Sequence, residues 1–319
     1  MRDSQSSTAS VVRPYDEEST VAGPASKQRR VVVSSDAGEQ IVEKVLKLGA
    51  SAAGIASLEL LKQSPSHLML ARFGTKIDGE YSYESITDFG EIAWPAEAQS
   101  VLVIAVAHPR DRPELDWSSA SGDTPGNELL MRVGKEVAGW AETALGIGAR
   151  AMTYWVEEGG LYLKDAAVLA GLGCVGRNNI LVTQEWGPRI RLRAVLLNAQ
   201  LTPTGPIEFD PCHGCDERCR TACPQGAFGR VVVAASDAGI DALPGRDGTF
   251  SRSRCFVQMG RDHDDSGVEV ADDFLSEMAA DGTPAEGPAA DRTAADRDSG
   301  GRTFIKWCRR CELACPVGG

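Results

Sequence analysis

The residues best equipped for chemistry are cysteines. "PCHGCDERCRTACPQGAF" sets out Cys212-x2-Cys215-x3-Cys219-x3-Cys223-Pro224, and the C-terminal "WCRRCELACPVGG" sets out Cys308-x2-Cys311-x3-Cys315-Pro316. Both runs end in Cys-Pro. In two-cluster ferredoxins each such run gives three thiolates to its own cluster and the cysteine before proline to the other one. The second run lacks its first cysteine, and Cys255 in "SRSRCFVQMG" is the one candidate that precedes it. The expected sets are Cys212, Cys215, Cys219 and Cys315 for one [4Fe–4S] cluster, and Cys255, Cys308, Cys311 and Cys223 for the other. Thiolate suits iron because it is soft, anionic and deprotonated by the metal. Eight cysteines can also build two tetrahedral zinc sites, but three cysteines in one short motif closed by Cys-Pro fit a cube better than paired knuckles. The x3 gap between Cys215 and Cys219 is one residue wider than usual. The ninth cysteine, Cys174, stands among glycines and reads as a small packing residue.

A second motif invites a different chemistry. "AGLGCVGRNN" contains Gly171-x-Gly173-x-x-Gly176, the outline of a dinucleotide-binding loop. That fingerprint needs a strand before it, a helix after it and an acid about 20 residues further on. Here a helical pattern, "YLKDAAVLAGLG", precedes the glycines, and "LLNAQL" occupies the acid's place. The order is wrong for a nucleotide.

The elements that must position these residues follow from periodicity. Ile41, Val45 and Leu48 predict a helix ending at Gly49, followed by a short strand, "AAGIAS". "SVLVIAVAHP" (100–109) is a buried strand closed by Pro109, and 110–126 is expected to be a loop. Leu130, Val133, Val137, Trp140 and Leu145 share a helical face that stops at Gly146. Residues 180–201 read as strand, turn and strand around Gly187-Pro188.

Of the net charge of −12, the stretch from Arg261 to Gly300 carries twelve acids against three arginines. It reads as a solvated loop insert, and an acidic balance argues against nucleic acid as a partner. No apolar run approaches the about 20 residues of a membrane span. Residues 1–30 have no hydrophobic period and lack the apolar core of a signal peptide, so the cytoplasm is the expected compartment. There, nine cysteines point to metal or redox chemistry rather than disulfides.

The run "YLKDAAVLAGLGCVGRNNILVTQEWGPRIRLRAVLLNAQLTP", then a Cys-Pro motif, an "RC" dipeptide and a second Cys-Pro motif, resembles the epoxyqueuosine reductase and reductive dehalogenase superfamily. The likeness extends over residues 37–316 and is most specific from 162 onward. It implies an α/β (α+β) chain: a disordered leader (1–30), a nitroreductase-like corrinoid-binding domain (31–204), and a ferredoxin-like domain with two [4Fe–4S] clusters (205–319) interrupted by the acidic insert (261–302). It also implies cobalamin, lying against Gly171, Gly173, Gly176, Arg177 and Asn178, and a low-potential electron donor such as ferredoxin or flavodoxin. Glycines suit that loop because backbone without Cβ can approach a flat macrocycle.

The implied activity is reductive removal of oxygen or halide from a small organic substrate. Epoxyqueuosine reductases carry an Asp-Tyr-His run whose Asp donates the proton; the matching stretch here, "GNELLMR", offers Glu128. Dehalogenases use a tyrosine, for which Tyr154 and Tyr162 are available, and Arg177 could stabilise a developing anion. The helical repeats that bind tRNA in many such reductases are missing before the end of the chain, three residues after Pro316. A small substrate is therefore expected in place of tRNA. The alternative is a non-catalytic electron carrier or corrinoid-reducing partner, which would need the cysteines and none of the acids.

Overall fold

Helix α1 (Ala37–Lys47) forms where the apolar spacing requires it, with Ile41 and Val45 fully buried. The structure, a computed structural model, describes residues 36–68, 94–119, 124–154, 160–232, 234–239, 241–243, 245–264, 268–271, 301–306 and 308–318. Strand β1 (Ala52–Ser57) leads directly into α2 (Leu58–Lys62), which Ser57 caps by accepting from the Leu60 N–H. Then come β2 (Ser100–Ala107), β3 (Trp117–Ser119), α3 (Pro125–Leu145), β4 (Ala149–Ala151), α4 (Leu163–Leu169), β5 (Cys174–Val175), β6 (Leu181–Val182) and β7 (Ile190–Leu197). The remainder holds α5 (Arg218–Thr221), α6 (Ala235–Ala238), α7 (Arg252–Asp264), β8 (Val268–Ala271), β9 (Gly301–Lys306) and α8 (Arg310–Leu313).

The main sheet has the order β1-β2-β7-β4, and each neighbouring pair is antiparallel. Its two faces read straight from the alternation of β2 and β7. Leu102, Ile104, Val106, Val195 and Leu197 pack under α1 and α3, whereas Val101, Val103, Ala105, Leu192, Ala194 and Leu196 pack under α2 and α4. A strand covered on both sides has no reason to alternate with polar residues. That accounts for the unbroken run "SVLVIAVA".

Helix α3 is opened by Thr124, whose Oγ1 accepts from the Asn127 N–H at 3.2 Å, and by Pro125 in its first turn. Gly146, at φ +67, closes it in the left-handed conformation that favours glycine.

Two stretches depart from expectation. The loop expected at 110–126 contains a 3-10 turn (Pro113–Asp116), strand β3 and the start of α3. Within the insert expected to be a loop (261–302), α7 continues to Asp264, and β8 pairs with β9, which in turn pairs with β3. Such short strands are defined by partners far away in the chain, not by a local period. The described residues hold together as one compact unit, and the leader expected at 1–30 lies outside them.

Candidate functional site

The structure gathers the cysteines into two quartets. Cys212, Cys219 and Cys315 are buried, and the Cys219 thiol faces Cys315, Cys212 and Cys215 closely enough for each to disfavour its ionisation. Burial is the larger effect, and together they push Cys219 up to about 11. The second quartet has the same character: Cys311 is raised by burial first and then by Cys255, Cys308 and Cys223, while Cys255 is pushed up to about 11. Clustered thiols such as Cys219, Cys255 and Cys311, held protonated mainly by burial, are suited to a multivalent cation, which removes their protons on binding. Among the described residues no three His, Cys, Asp or Glu meet as a site for a single ion. A four-iron cube asks for something wider, because each thiolate takes a different iron.

Local geometry builds the first quartet. Asp210 accepts from the Cys212 N–H at 3.0 Å and pairs with Arg246, fixing the turn in which the Cys215 N–H reaches the Cys212 carbonyl. The wide gap before Cys219 is taken up at Glu217, which lies in the left-handed region at φ +56 and starts α5, the helix that carries Cys219. Cys315 arrives from the other end of the chain. Arg189, 2% exposed, donates to the carbonyls of Cys315 (3.4 Å) and Val317 (2.7 Å), so the turn ahead of β7 holds the Cys-Pro segment. Between these elements lies a small recess, partly open to solvent, lined by the four cysteines together with Arg177, Asn178 and Val182.

The glycine loop beside this recess packs on its own chain. A Cβ on Gly171 would fall 2.9 Å from the Thr204 carbonyl oxygen, and one on Gly173 would fall 2.1 Å from that of Val182. These contacts account for both glycines without a ligand. Arg177 pairs with Glu217, and its carbonyl accepts from Arg220 Nε at 2.8 Å, so the loop is clasped to α5 on either side of Cys219. Cys174 lies on β5, paired with Val182, and burial followed by Cys212 pushes its thiol up to about 11.

Sequence reasoning passed over the arginines of "PRIRLR". Their period of two sets Arg189, Arg191 and Arg193 along one side of the chain entering β7, and each makes a different long-range contact. Arg191 Nη2 lies 2.9 Å from both Asp116 Oδ1 and Glu312 Oε2. Arg309, between Cys308 and Cys311, meets Asp116 Oδ2 at 2.6 Å, donates to the His108 carbonyl at 2.6 Å and pairs with Glu312. His108 is fully buried, with Nδ1 2.8 Å from Asp116 Oδ1. This buried network ties the C-terminal cysteine run to the sheet.

Arg193 donates to Asn127 and sets its guanidinium 4.4 Å from the centre of the Tyr154 ring. Of the expected acid groups, Glu128 is in the first turn of α3 beside Asn127, and Tyr154 is half exposed, so Arg193 connects their surroundings. Tyr162 starts α4, the helix on the other face of the sheet, with its ring edge-on to His67 at 5.0 Å. Arg177 is held by Glu217. Glu128 and Tyr154 thus share one neighbourhood through Asn127 and Arg193, whereas Tyr162 and Arg177 make their contacts elsewhere.

No protein-family model matches the chain. Its fold is a mixed α/β arrangement with a small antiparallel sheet, similar to the epoxyqueuosine reductase from Streptococcus thermophilus. That comparison has a TM-score of 0.51 at 19% identity over 89% of this chain and 66% of that one, a likeness of fold. In sequence the chain is 30% identical over 223 residues to the epoxyqueuosine reductase of Gloeobacter violaceus, covering 62% of each protein. It is 38% identical over 105 residues to the tetrachloroethene reductive dehalogenase of Dehalobacter restrictus, covering 30% of this chain and 19% of that protein. The chain is thus similar in sequence to epoxyqueuosine reductases and to reductive dehalogenases, and it spans less than two thirds of the length of these relatives. Among the described residues no helix is long and apolar enough to cross a membrane.

Proposed function

We propose that the chain is an iron–sulfur oxidoreductase in which Cys212, Cys215, Cys219 and Cys315 hold one [4Fe–4S] cluster and Cys255, Cys308, Cys311 and Cys223 hold a second. The observation that carries this reading is the meeting of Cys315 with the first run and of Cys223 with the second, the crossed pattern of two-cluster ferredoxins. In this reading residues 31–204 form a nitroreductase-like domain and 205–319 a ferredoxin-like one. Electrons enter from a low-potential donor such as ferredoxin or flavodoxin.

Both groups of relatives use a corrinoid as well as clusters, and a corrinoid supplies a strongly reducing centre able to remove oxygen or halide from a small organic substrate. Of this chain's own residues, Tyr154 has the better surroundings for delivering a proton. It is 48% exposed, and the Arg193 cation faces the ring on which negative charge develops as the proton leaves. Glu128, one helical residue from Asn127, is the second acid within that neighbourhood. The packing of Gly171 and Gly173 on their own backbone favours a second reading, an electron carrier without corrinoid.

Anaerobic reconstitution with iron and sulfide, followed by titration with cob(II)alamin under EPR, separates the two. About eight irons are expected, with Cys219→Ser and Cys255→Ser each losing one cluster and Cys174→Ser losing none. A cobalt signal shifted to that of bound corrinoid supports the reductase. Full iron with an unshifted cobalt signal leaves the carrier.

A further inference from the structure

Asn178 is 3% exposed and lines the recess between the first four cysteines. Its Oδ1 accepts from the Ile180 N–H at 3.2 Å, a contact that settles which end of the amide is which, since the reversed group would set two donors against each other. The other end, Nδ2, is buried and has no hydrogen-bond partner among the described residues. An amide NH2 without an acceptor is costly in a protein interior. The residue is nevertheless held firmly in place. Arg177, its neighbour, is clasped by Glu217 and Arg220 around Cys219, and a Cβ on Gly176 would fall 2.8 Å from Asn178 Oδ1, so a glycine there leaves room for the folded side chain.

We infer that Asn178 Nδ2 donates a hydrogen bond to a sulfur of the cluster held by Cys212, Cys215, Cys219 and Cys315, and so raises the reduction potential of that cluster. A cluster offers acceptors and no donors, which matches the vacant Nδ2. Reduction adds negative charge to the sulfurs, and a fixed donor stabilises the reduced form more than the oxidised one. Asn178 is in this sense a positioning residue for electrons rather than a corrinoid contact. The inference rests on the cluster assignment proposed above.

The test is an EPR-monitored redox titration of the reconstituted protein, wild type beside Asn178→Asp, which keeps the acceptor for Ile180 and loses the donor, and Asn178→Leu, which loses both. The first cluster is identified as the one whose signal Cys219→Ser removes. Its oxidised-to-reduced ratio at a fixed potential should rise about tenfold in both variants, equal to about 59 mV for a one-electron couple, while the second cluster stays unmoved. Wild-type protein carrying 15N-asparagine should also show a nitrogen hyperfine coupling to the reduced first cluster, a readout that needs no variant. An unmoved potential, or no such coupling in a protein with both clusters loaded, overturns the role of Asn178 alone. Failure of the first quartet to load iron overturns the cluster assignment and this inference with it.

Discussion

Replacing Asp116 with Asn tests the network that ties the C-terminal cysteine run to the sheet. The Asp116 side chain is 9% exposed and meets Arg309 at 2.6 Å, His108 at 2.8 Å and Arg191 at 2.9 Å. Burial alone would raise its carboxyl, but His108 and the two arginines outweigh burial and hold it at about 2, against an ordinary 3.8. That depression corresponds to about 2 kcal/mol of folding stability. It is present above pH 3.8 and lost as the pH falls through about 2. The amide carries no charge, so Glu312 alone must then balance Arg191 and Arg309. Unpairing one member of a buried ionic group costs about 3–5 kcal/mol, which brackets the expected loss between about 2 and 5 kcal/mol.

The assay is anaerobic guanidinium unfolding at pH 7 followed by circular dichroism, with each cluster's EPR signal recorded alongside. Because Arg309 lies between Cys308 and Cys311, the second cluster should be lost at lower denaturant in the variant, ahead of the first. A stability change within about 0.5 kcal/mol, the range of ordinary surface substitutions, would refute the buried network. Equal loss of both clusters would refute its action through Arg309.

His67, whose imidazole burial lowers to about 4 against an opposing pull from Asp165, should make the protein weaken as pH falls from 6.5 towards 4. The unfolded chain takes up the proton first in that window, a difference of about 3 kcal/mol, and His67→Gln should flatten that limb of a thermal-melting series. Gly173→Ala should destabilise by at least about 2 kcal/mol, because its Cβ would meet the Val182 carbonyl oxygen at 2.1 Å with φ at +157; an unchanged melting temperature would contradict the β5–β6 contact. Glu217→Gln breaks a pair whose side chains are 38% and 32% exposed, so stability should change by less than about 1 kcal/mol. Hydrogen exchange at residues 176–178 should nevertheless quicken as the loop loosens from α5.

The local sequence was sufficient for α1, β1, β2, α3 and β7, since their buried faces recur at the period of the element that carries them. It also marked the cysteine runs as the residues with the most chemistry to offer, because the spacing of thiols in a short loop is itself a chemical pattern. What it could not carry were contacts between residues with no shared period. The pairing of β3 with β9, the meeting of Asp116 with Arg309, and the link from Asn127 to Tyr154 through Arg193 each join distant parts of the chain. The alternation in "PRIRLR" was visible as a row of cations, but the partner of each arginine depends on what the fold lays across the strand. The same holds for the hydrogen bonds of Asn178. Only the folded chain turns one end of its amide onto Ile180 and leaves the other buried beside four thiols. Hydrogen-bond satisfaction belongs to three dimensions, and a one-dimensional pattern does not record which donor has been left without an acceptor.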